Sequence, residues 1–329
     1  MLAWPHADTD WAYILDEVRQ CYKDIARHIV PGEDLIVVTP DVEMARADLG
    51  DLIASYRGKT HIYDLPTNDT WARDFAPVTV EVDGHMTPLD YQFNAWGMKY
   101  AADRDNLVSQ RLDARQLFKQ PLVDYHNFVL EGGSIESDGN GTLMTTASCL
   151  LAPNRNEHYT RADIDRFLQE TLGVSNIIWL DHGYVAGDDT DGHIDTLARF
   201  APGNTIVYNG PGNQNDAQAE SLAKMRQELQ AARNAAGEPY RLLELPMPEP
   251  IADEDGSRLP ATYANFLVMN RRVLVPTYRQ PSLDAQALAV IHAAFPDREI
   301  VGIDCTPLIK QHGSLHCVTM QFPTNTLNL

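Results

Sequence analysis

The sequence predicts an α/β protein, a five-bladed α/β propeller in which one structural repeat occurs five times. Two observations support this fold class. The order helix, strand, polar segment, β-hairpin recurs along all 329 residues with a period of about 65 residues, longer than common solenoid repeats. Similar repeats from end to end indicate radial repetition, and no linker separates two domains. We therefore expect residues 1–329 to form a single catalytic domain with pseudo-five-fold symmetry.

Hydrophobic periodicity predicts the elements of the first repeat. Apolar residues at three- and four-residue steps between Trp11 and Ile29 predict a helix over 10–28, which Pro31 and Gly32 end. An Asp-Gly pair between two alternating runs indicates a hairpin turn. The predicted elements are strand 35–38, helix 42–56, strand 61–63 and hairpin 78–93.

The same signals recur in the later repeats. Apolar residues at helical steps predict helices, continuous or alternating apolar runs predict strands, and Gly or Asn marks turns. The predicted helices cover 107–118, 162–172, 217–235 and 283–295, and the predicted strands cover 122–125, 176–180, 241–245 and 299–303. Hairpins open near residues 130, 196 and 263, a last segment over 313–321 closes the chain, and 246–260 is interpreted as a long loop.

Composition excludes several classes of function. The net charge is −20, from 26 Lys and Arg against 46 Asp and Glu, whereas proteins that bind nucleic acid or anionic membranes present basic faces. Acidic clefts concentrate cations, so a small cationic substrate is compatible with this charge. Without a secretory signal, a membrane span or a CxxC pair, we expect a cytoplasmic protein with reduced thiols. A homo-oligomer is one option for its assembly.

The segment 188–195 carries five ionisable side chains within eight residues. His193 and Asp195 are spaced i, i+2, which on a strand places both side chains on one face. Because residues 196–200 have the pattern of a strand, we expect both side chains to point the same way from a strand end. A metal site and a solvated acidic loop are the alternative interpretations of this segment.

Ionisable residues occupy the corresponding place in other repeats, where the inner hairpin begins. The first repeat has Asp74, the second Glu131 and the fifth Cys317, while the fourth has Asn265. Radial symmetry brings these positions together on the central axis. A cysteine with a histidine is a nucleophile with an acid/base partner. Carboxylates around a thiol fit a substrate that brings positive charge, and a planar, always protonated guanidinium meets this condition.

This set of residues predicts a two-step deimination without a metal or a cofactor. Asp74, Glu131 and Asp195 hold the guanidinium while the Cys317 thiolate attacks its central carbon. His193 protonates the departing nitrogen, ammonia leaves, and a thiouronium remains on the cysteine. His193 then activates a water that releases a ureido product.

Several short segments have the pattern of one enzyme family: Trp4-Pro5 with Trp11, and residues 68–74, 93–97, 131–133, 154–156, 188–195 and 316–319. Through them the chain resembles the agmatine deiminase and bacterial (Porphyromonas-type) peptidyl-arginine deiminase family, in the guanidino-group-modifying superfamily. The resemblance implies the five-bladed α/β propeller known as the pentein fold. It also implies the roles given above for the cysteine, the histidine and the acidic residues. The residues expected to line the substrate channel or bind the substrate are Trp71, Trp96, Asp188 and Asp189.

The function expected first is hydrolysis of agmatine to N-carbamoylputrescine and ammonia, a step of polyamine biosynthesis. Residues 311–313 and 320–323, with Met98 after Trp96-Gly97, depart from the agmatine enzymes where the substrate tail would bind. A peptidyl-arginine or free-arginine deiminase with the same mechanism is therefore an alternative. Arg155 and Arg199 are the candidates to bind an α-carboxylate. From another class, a propeller without activity could serve as a binding protein.

Overall fold

The structure, a computed structural model, describes residues 1–329, and its sheets repeat one pattern. Five of its six sheets have three strands. In four of these, an antiparallel hairpin is followed by a helical connection, and the third strand pairs in parallel with the second. A parallel pair needs such a crossover, usually a helix. The strand of each later repeat, from the second to the fifth, therefore completes the sheet that the preceding hairpin began.

The chain forms two compact units, Met1–Gly132 with His316–Leu329, and Gly133–Leu315. The first compact unit contains two sheets, one of β1 (Leu2–Ala3), β2 (Leu35–Thr39) and β3 (Thr60–Asp64), the other of β4 (Val78–Val82), β5 (His85–Gln92) and β6 (Val123–Val129). Its helices are α1 (Leu15–Ile29), α2 (Val42–Asp48), α3 (Gly50–Ser55), α4 (Ala72–Phe75), α5 (Ala95–Met98) and α6 (Val108–Asp113), with 3-10 turns at Ala12–Ile14 and Asp105–Leu107.

The second compact unit contains the other sheets. Their strands are β7 (Ile135–Ser137), β8 (Thr142–Thr146) and β9 (Asn176–Leu180); β10 (Ala198–Ala201), β11 (Thr205–Asn209) and β12 (Arg241–Leu245); the pair β13 (Ile251–Ala252) and β14 (Arg258–Leu259); and β15 (Leu267–Val268), β16 (Arg272–Thr277) and β17 (Glu299–Asp304). Its helices are α7 (Ala147–Leu150), α8 (Arg161–Leu172), α9 (Ala219–Ala231), α10 (Pro281–Ala294) and α11 (Thr306–Ile309). A 3-10 turn covers Ile194–Thr196.

Local sequence signals explain where these elements begin and end. Thr160 and Asp163 form a reciprocal capping box at the start of α8, and Gly173 ends that helix in a left-handed conformation with φ 68°. Asp83 and Gly84 both have positive φ, 50° and 78°, as a two-residue hairpin turn requires. The strand predictions over 176–180 and 241–245 are confirmed residue for residue.

Several predictions of elements were wrong. The helix predicted over 42–56 is two helices, α2 and α3, separated at Leu49, whose φ and ψ of −95° and 5° are not helical. The last segment, 313–321, forms no strand: it has a turn over residues 315–318, and Thr319 forms only an isolated bridge with Leu2. The predicted loop 246–260 contains the short pair β13 and β14.

No helix is both long and apolar enough to cross a membrane. The closed propeller and the single domain stay predictions.

Candidate active site

Asp74 lies in α4 and is 3% exposed. Its Oδ2 accepts a hydrogen bond from the indole N–H of Trp96 at 3.0 Å. The Trp71 ring packs edge-on against Trp96, with ring centroids 6.4 Å apart, and donates its own N–H to Oδ2 of Asp69 at 2.9 Å. The structure thus brings three of the predicted site residues together in the first compact unit.

Trp96 reaches Asp74 from an unusual backbone turn. Residues 95–98 all have positive φ, between 52° and 83°. Only Gly97 among them adopts this region without cost, since a left-handed conformation costs other residues about 1–2 kcal/mol each. The side chain of Asn94 stabilises the turn by accepting the N–H of Gly97 at 2.9 Å. Strain of this kind is often found where a side chain must be held in one direction for function.

Cys317 is 4% exposed and lies in a turn, which the N–H of Thr319 closes by donating to the carbonyl of His316 at 3.0 Å. The carbonyl of Cys317 accepts the N–H of Arg73 at 3.1 Å. Arg73 is buried, and its guanidinium contacts the carbonyl of His316 and the side chains of Met320 and Gln321. The predicted nucleophile is thus joined through backbone to the residue that precedes Asp74.

Glu131 is fully buried, and the glycine that follows it has a steric role. A Cβ on Gly132 would lie 2.2 Å from the carbonyl oxygen of Arg73, far closer than any real contact. The backbone around Glu131 can therefore approach Arg73 only because this position is glycine.

In the second compact unit, His193 and Asp195 are fully buried, but they do not lie on a strand. The N–H of His193 donates to Oγ1 of Thr190 at 3.0 Å, and its carbonyl accepts the hydroxyl of Thr196 at 2.8 Å. These bonds favour a 3-10 turn over Ile194–Thr196, and the strand begins only at Ala198. The prediction of a shared strand face was wrong, because a turn of three residues lacks the alternation of a strand.

Asp188 and Asp189 are half-buried in the loop before His193. One oxygen of Asp188 accepts the hydroxyl of Thr190 at 2.7 Å, and the other accepts the N–H of Gly192 at 2.8 Å. Burial raises the pKa of Asp188, while these two hydrogen bonds lower it. Asp188 therefore organises the loop that carries His193, and the substrate-binding role of both acids stays a prediction.

Cys149 is a residue that sequence reasoning missed. Its Sγ lies within 4.8 Å of a ring nitrogen of His193, and both side chains are fully buried. Thr146, the N-cap of α7, accepts the N–H of Cys149 and donates to the carbonyl of Gly192 at 2.7 Å. The start of α7 thus supports the histidine loop. A thiol and an imidazole are also common ligands of transition metals. That the site works without a metal therefore stays a prediction.

The two arginines considered for carboxylate binding are occupied within the second compact unit. The side chain of Arg155 donates to Asp191 at 2.6 Å and to the carbonyl of Thr190 at 2.9 Å. Arg199 pairs with Glu136 at 2.8 Å and donates to the carbonyl of Phe266 at 2.7 Å. Both arginines are therefore structural within this unit.

Asn265 occupies the position in the fourth repeat where no ionisable residue occurs, and it is fully buried. Its side-chain amide donates to the carbonyl of Asp195 at 3.3 Å. This contact connects the fourth repeat to the turn that carries His193 and Asp195.

Comparisons with known proteins agree along nearly the whole chain. Residues 1–323 match the family model of the Porphyromonas-type peptidyl-arginine deiminases. The agmatine deiminase of Pseudomonas aeruginosa is 30% identical, over 98% of this chain and 92% of its own length. A solved structure from Porphyromonas gingivalis, provisionally assigned as an arginine deiminase, is 52% identical with a TM-score of 0.93, covering 99% of this chain and 96% of that one.

A further solved structure is that of the C. jejuni agmatine deiminase with substrate bound. It is 38% identical, with a TM-score of 0.88, over 97% of this chain and 91% of its own. The chain shares its mixed α/β fold with these structures.

Proposed function

The chain belongs to the Porphyromonas-type peptidyl-arginine deiminase family, and we propose that it hydrolyses a small cationic guanidine, agmatine in particular. Agmatine and water yield N-carbamoylputrescine and ammonia. Similarity over almost the whole chain to the agmatine deiminases of P. aeruginosa and C. jejuni is the observation that carries this proposal. The net charge of −20 suits a substrate with two positive charges.

The occupied arginines support agmatine over free arginine. Free arginine presents an α-carboxylate, which a deiminase has to pair with a cation or with hydrogen-bond donors. Arg155 and Arg199 are committed to Asp191 and Glu136. Agmatine has no carboxylate and needs no such partner.

In the proposed first step, Asp74, Glu131 and Asp195 bind the guanidinium, and the Cys317 thiolate attacks its central carbon. A C–S bond forms and a tetrahedral intermediate results. His193 donates a proton to one terminal nitrogen, the C–N bond breaks, and ammonia leaves. The carbon is then held to the sulfur as a thiouronium.

In the proposed second step, His193 takes a proton from a water that attacks the thiouronium carbon. The C–S bond breaks, the hydroxyl proton passes to solvent as the carbonyl forms, the thiolate of Cys317 is restored, and the ureido product leaves. Splitting the displacement into two covalent steps avoids direct attack of water on a resonance-stabilised guanidinium. The indoles of Trp71 and Trp96 would line the approach to Asp74, while Asp188 and Asp189 would contribute negative charge.

A peptidyl-arginine deiminase is the second candidate, favoured by one observation on the first compact unit. Met98 and Tyr100, next to Trp96, are 67% and 50% exposed. Apolar side chains at that place suit an uncharged chain beyond the guanidinium better than the amine of agmatine.

The four cysteines form no disulfide. Reduced thiols are usual in a reducing compartment, so we propose that the protein works in the cytoplasm. Its acidic charge argues against nucleic acid as a partner.

The test is ammonia release from agmatine, free arginine and a blocked arginyl peptide, measured in parallel. Cys317→Ala should abolish turnover, because no other group replaces the thiolate. Cys305→Ala removes another buried thiol and should retain turnover, which makes it the matched control.

Turnover of agmatine alone, lost only in Cys317→Ala, would establish both reaction and substrate. Turnover of the peptide or of arginine instead would keep the chemistry and reject agmatine. Failure of folded protein to act on any of the three would contradict the proposal and favour a binding protein without activity.

A further inference from the structure

Four reciprocal hydrogen bonds join two loops of the first compact unit. The carboxylate of Asp105 accepts the backbone N–H of Asn68 at 2.7 Å and that of Asp69 at 3.1 Å. In return, the side-chain carbonyl of Asn68 accepts the N–H of Arg104 at 2.7 Å and that of Asp105 at 3.1 Å. We call these four bonds the 68/105 clasp. Every bond runs from a side chain of one loop to the backbone of the other, so the clasp fixes backbone positions.

The clasp is built from a group that is costly to bury. Asp105 is 2% exposed, and burial raises its pKa to about 8, although the two backbone N–H groups lower it. A buried carboxyl group is tolerated when its oxygens are hydrogen-bonded. Asp105 is the first residue of the 3-10 turn Asp105–Leu107. Its carboxylate holds the opposite loop.

The loop held by the clasp carries the candidate catalytic groups. Six residues after Asn68, Asp74 is fixed by the indole N–H of Trp96, which lies in α5, eight residues before Arg104. Between Asn68 and Asp74, Arg73 donates its backbone N–H to the carbonyl of Cys317 at 3.1 Å. The segments 68–74 and 96–105 are therefore joined at two places, and the backbone of Arg73, within the first segment, is bonded to the carbonyl of Cys317.

We propose that Asn68 and Asp105 are positioning residues that set the placement of Asp74 and Cys317 for the guanidinium. This inference rests on the proposed function. Neither residue contacts the substrate. Both act by fixing the backbone of residues 68–74, from which the carboxylate projects and to which the Cys317 carbonyl is bonded. A displacement of about 1 Å of a reacting group can lower the rate about 100-fold, so small movements of this loop are consequential.

The first test variant is Asp105→Asn. It retains the size of the side chain but presents an amide NH₂ to one of the two backbone N–H groups, so one hydrogen bond is lost. We expect KM to rise, and kcat/KM to fall about 10- to 100-fold. A loss of stability alone would reduce the active fraction and hence the apparent kcat, and would leave KM unchanged.

Asp41→Asn is the matched control. Asp41 also accepts a backbone N–H, from Met44 at 3.0 Å, as the exposed N-cap of α2 in the same compact unit. Asparagine is as good an N-cap as aspartate, so KM and kcat should stay within about two-fold of the wild type.

Amide hydrogen exchange of a peptide that covers residues 66–76 gives a readout that does not depend on activity. Asp105→Asn should speed exchange in this peptide, whereas Asp41→Asn should not. If Asp105→Asn fails to fold, Asn68→Ser replaces it. This variant removes the two bonds that the Asn68 side chain accepts and the one that it donates to Asp103, and it leaves the carboxylate of Asp105 in place.

Faster exchange together with a raised KM in the clasp variants alone would support the inference. Faster exchange with unchanged KM would overturn the positioning role, and unchanged exchange would overturn the clasp itself. If the wild type acts on no guanidine, the proposed function fails, and the exchange comparison still decides whether the clasp holds the loop.

Discussion

The indole N–H of Trp96 points at Oδ2 of Asp74, 3.0 Å away, and both side chains are almost completely buried. A hydrogen bond to a charged group contributes about 1.5–3 kcal/mol. Trp96→Phe keeps an aromatic ring beside Phe93 but removes the donor. We expect kcat/KM to fall about 10- to 100-fold, as measured by steady-state ammonia release.

Trp179→Phe is the control for this prediction. The Trp179 indole also donates to an aspartate, Asp165, at 2.6 Å, but this bond joins β9 to α8 and has no proposed role in the reaction. Its kcat/KM should stay within about two-fold of the wild type. Equal effects in the two variants would contradict a specific role for the indole of Trp96.

Cys149→Ala tests the contact between that thiol and His193. The substitution leaves space beside the imidazole, so the ring becomes less well oriented, and we expect kcat to fall about 10-fold. Cys305→Ala also shortens a fully buried cysteine and should have a comparable cost in stability. Values of kcat normalised to the folded fraction would then distinguish Cys149→Ala from Cys305→Ala. Equal kcat values in the two variants would refute a role for Cys149.

Gly132→Ala should be strongly destabilising. Its Cβ would overlap the carbonyl of Arg73, and one of the two segments would have to move. Overpacking of this kind costs about 1–3 kcal/mol, and we expect turnover to be lost because the loop of Asp74 is displaced. Gly50→Ala, at the first position of α3 with open space around it, should instead stabilise by up to about 1 kcal/mol. Urea unfolding of both variants measures the change in unfolding free energy, which should have opposite signs in Gly132→Ala and Gly50→Ala.

The stability of the protein should depend on pH through Asp105. Burial raises the pKa of Asp105 to about 8, from an ordinary value of 3.8, so the folded state holds this proton more tightly than the unfolded state does. The resulting stabilisation is complete below about pH 4 and is lost as the pH rises towards 8. Burial also raises the pKa of Asp69, to about 7, so its titration likewise lowers the stability as the pH rises.

Asp105→Asn removes one of these titrations. The difference in unfolding free energy between wild type and variant should therefore shrink from pH 4 to pH 8, by at most about 1.4 kcal/mol per pH unit. The contributions of other titrating groups cancel in this difference. One of them is the buried terminal amine, because burial lowers its pKa to about 5. A difference that is independent of pH would show that Asp105 is ionised throughout this range.

The sequence by itself determined the local structure and the chemistry to be looked for. The strands 176–180 and 241–245 and the turn at Asp83-Gly84 follow from apolar periodicity and backbone preference, which act over a few neighbouring residues. The motifs around Asp74, His193 and Cys317 indicated the enzyme family, because a guanidinium-deiminating site needs those residue types.

Only the tertiary structure decided how the site residues are held. Hydrogen bonds with two threonine hydroxyls hold a 3-10 turn at His193 where the sequence predicted a strand. The thiol of Cys149 lies beside the His193 imidazole although the two residues are 44 positions apart in the chain. The clasp between Asn68 and Asp105 likewise joins residues 37 positions apart. Such contacts depend on where the chain folds back on itself, and no periodicity or propensity within a short window encodes that distance.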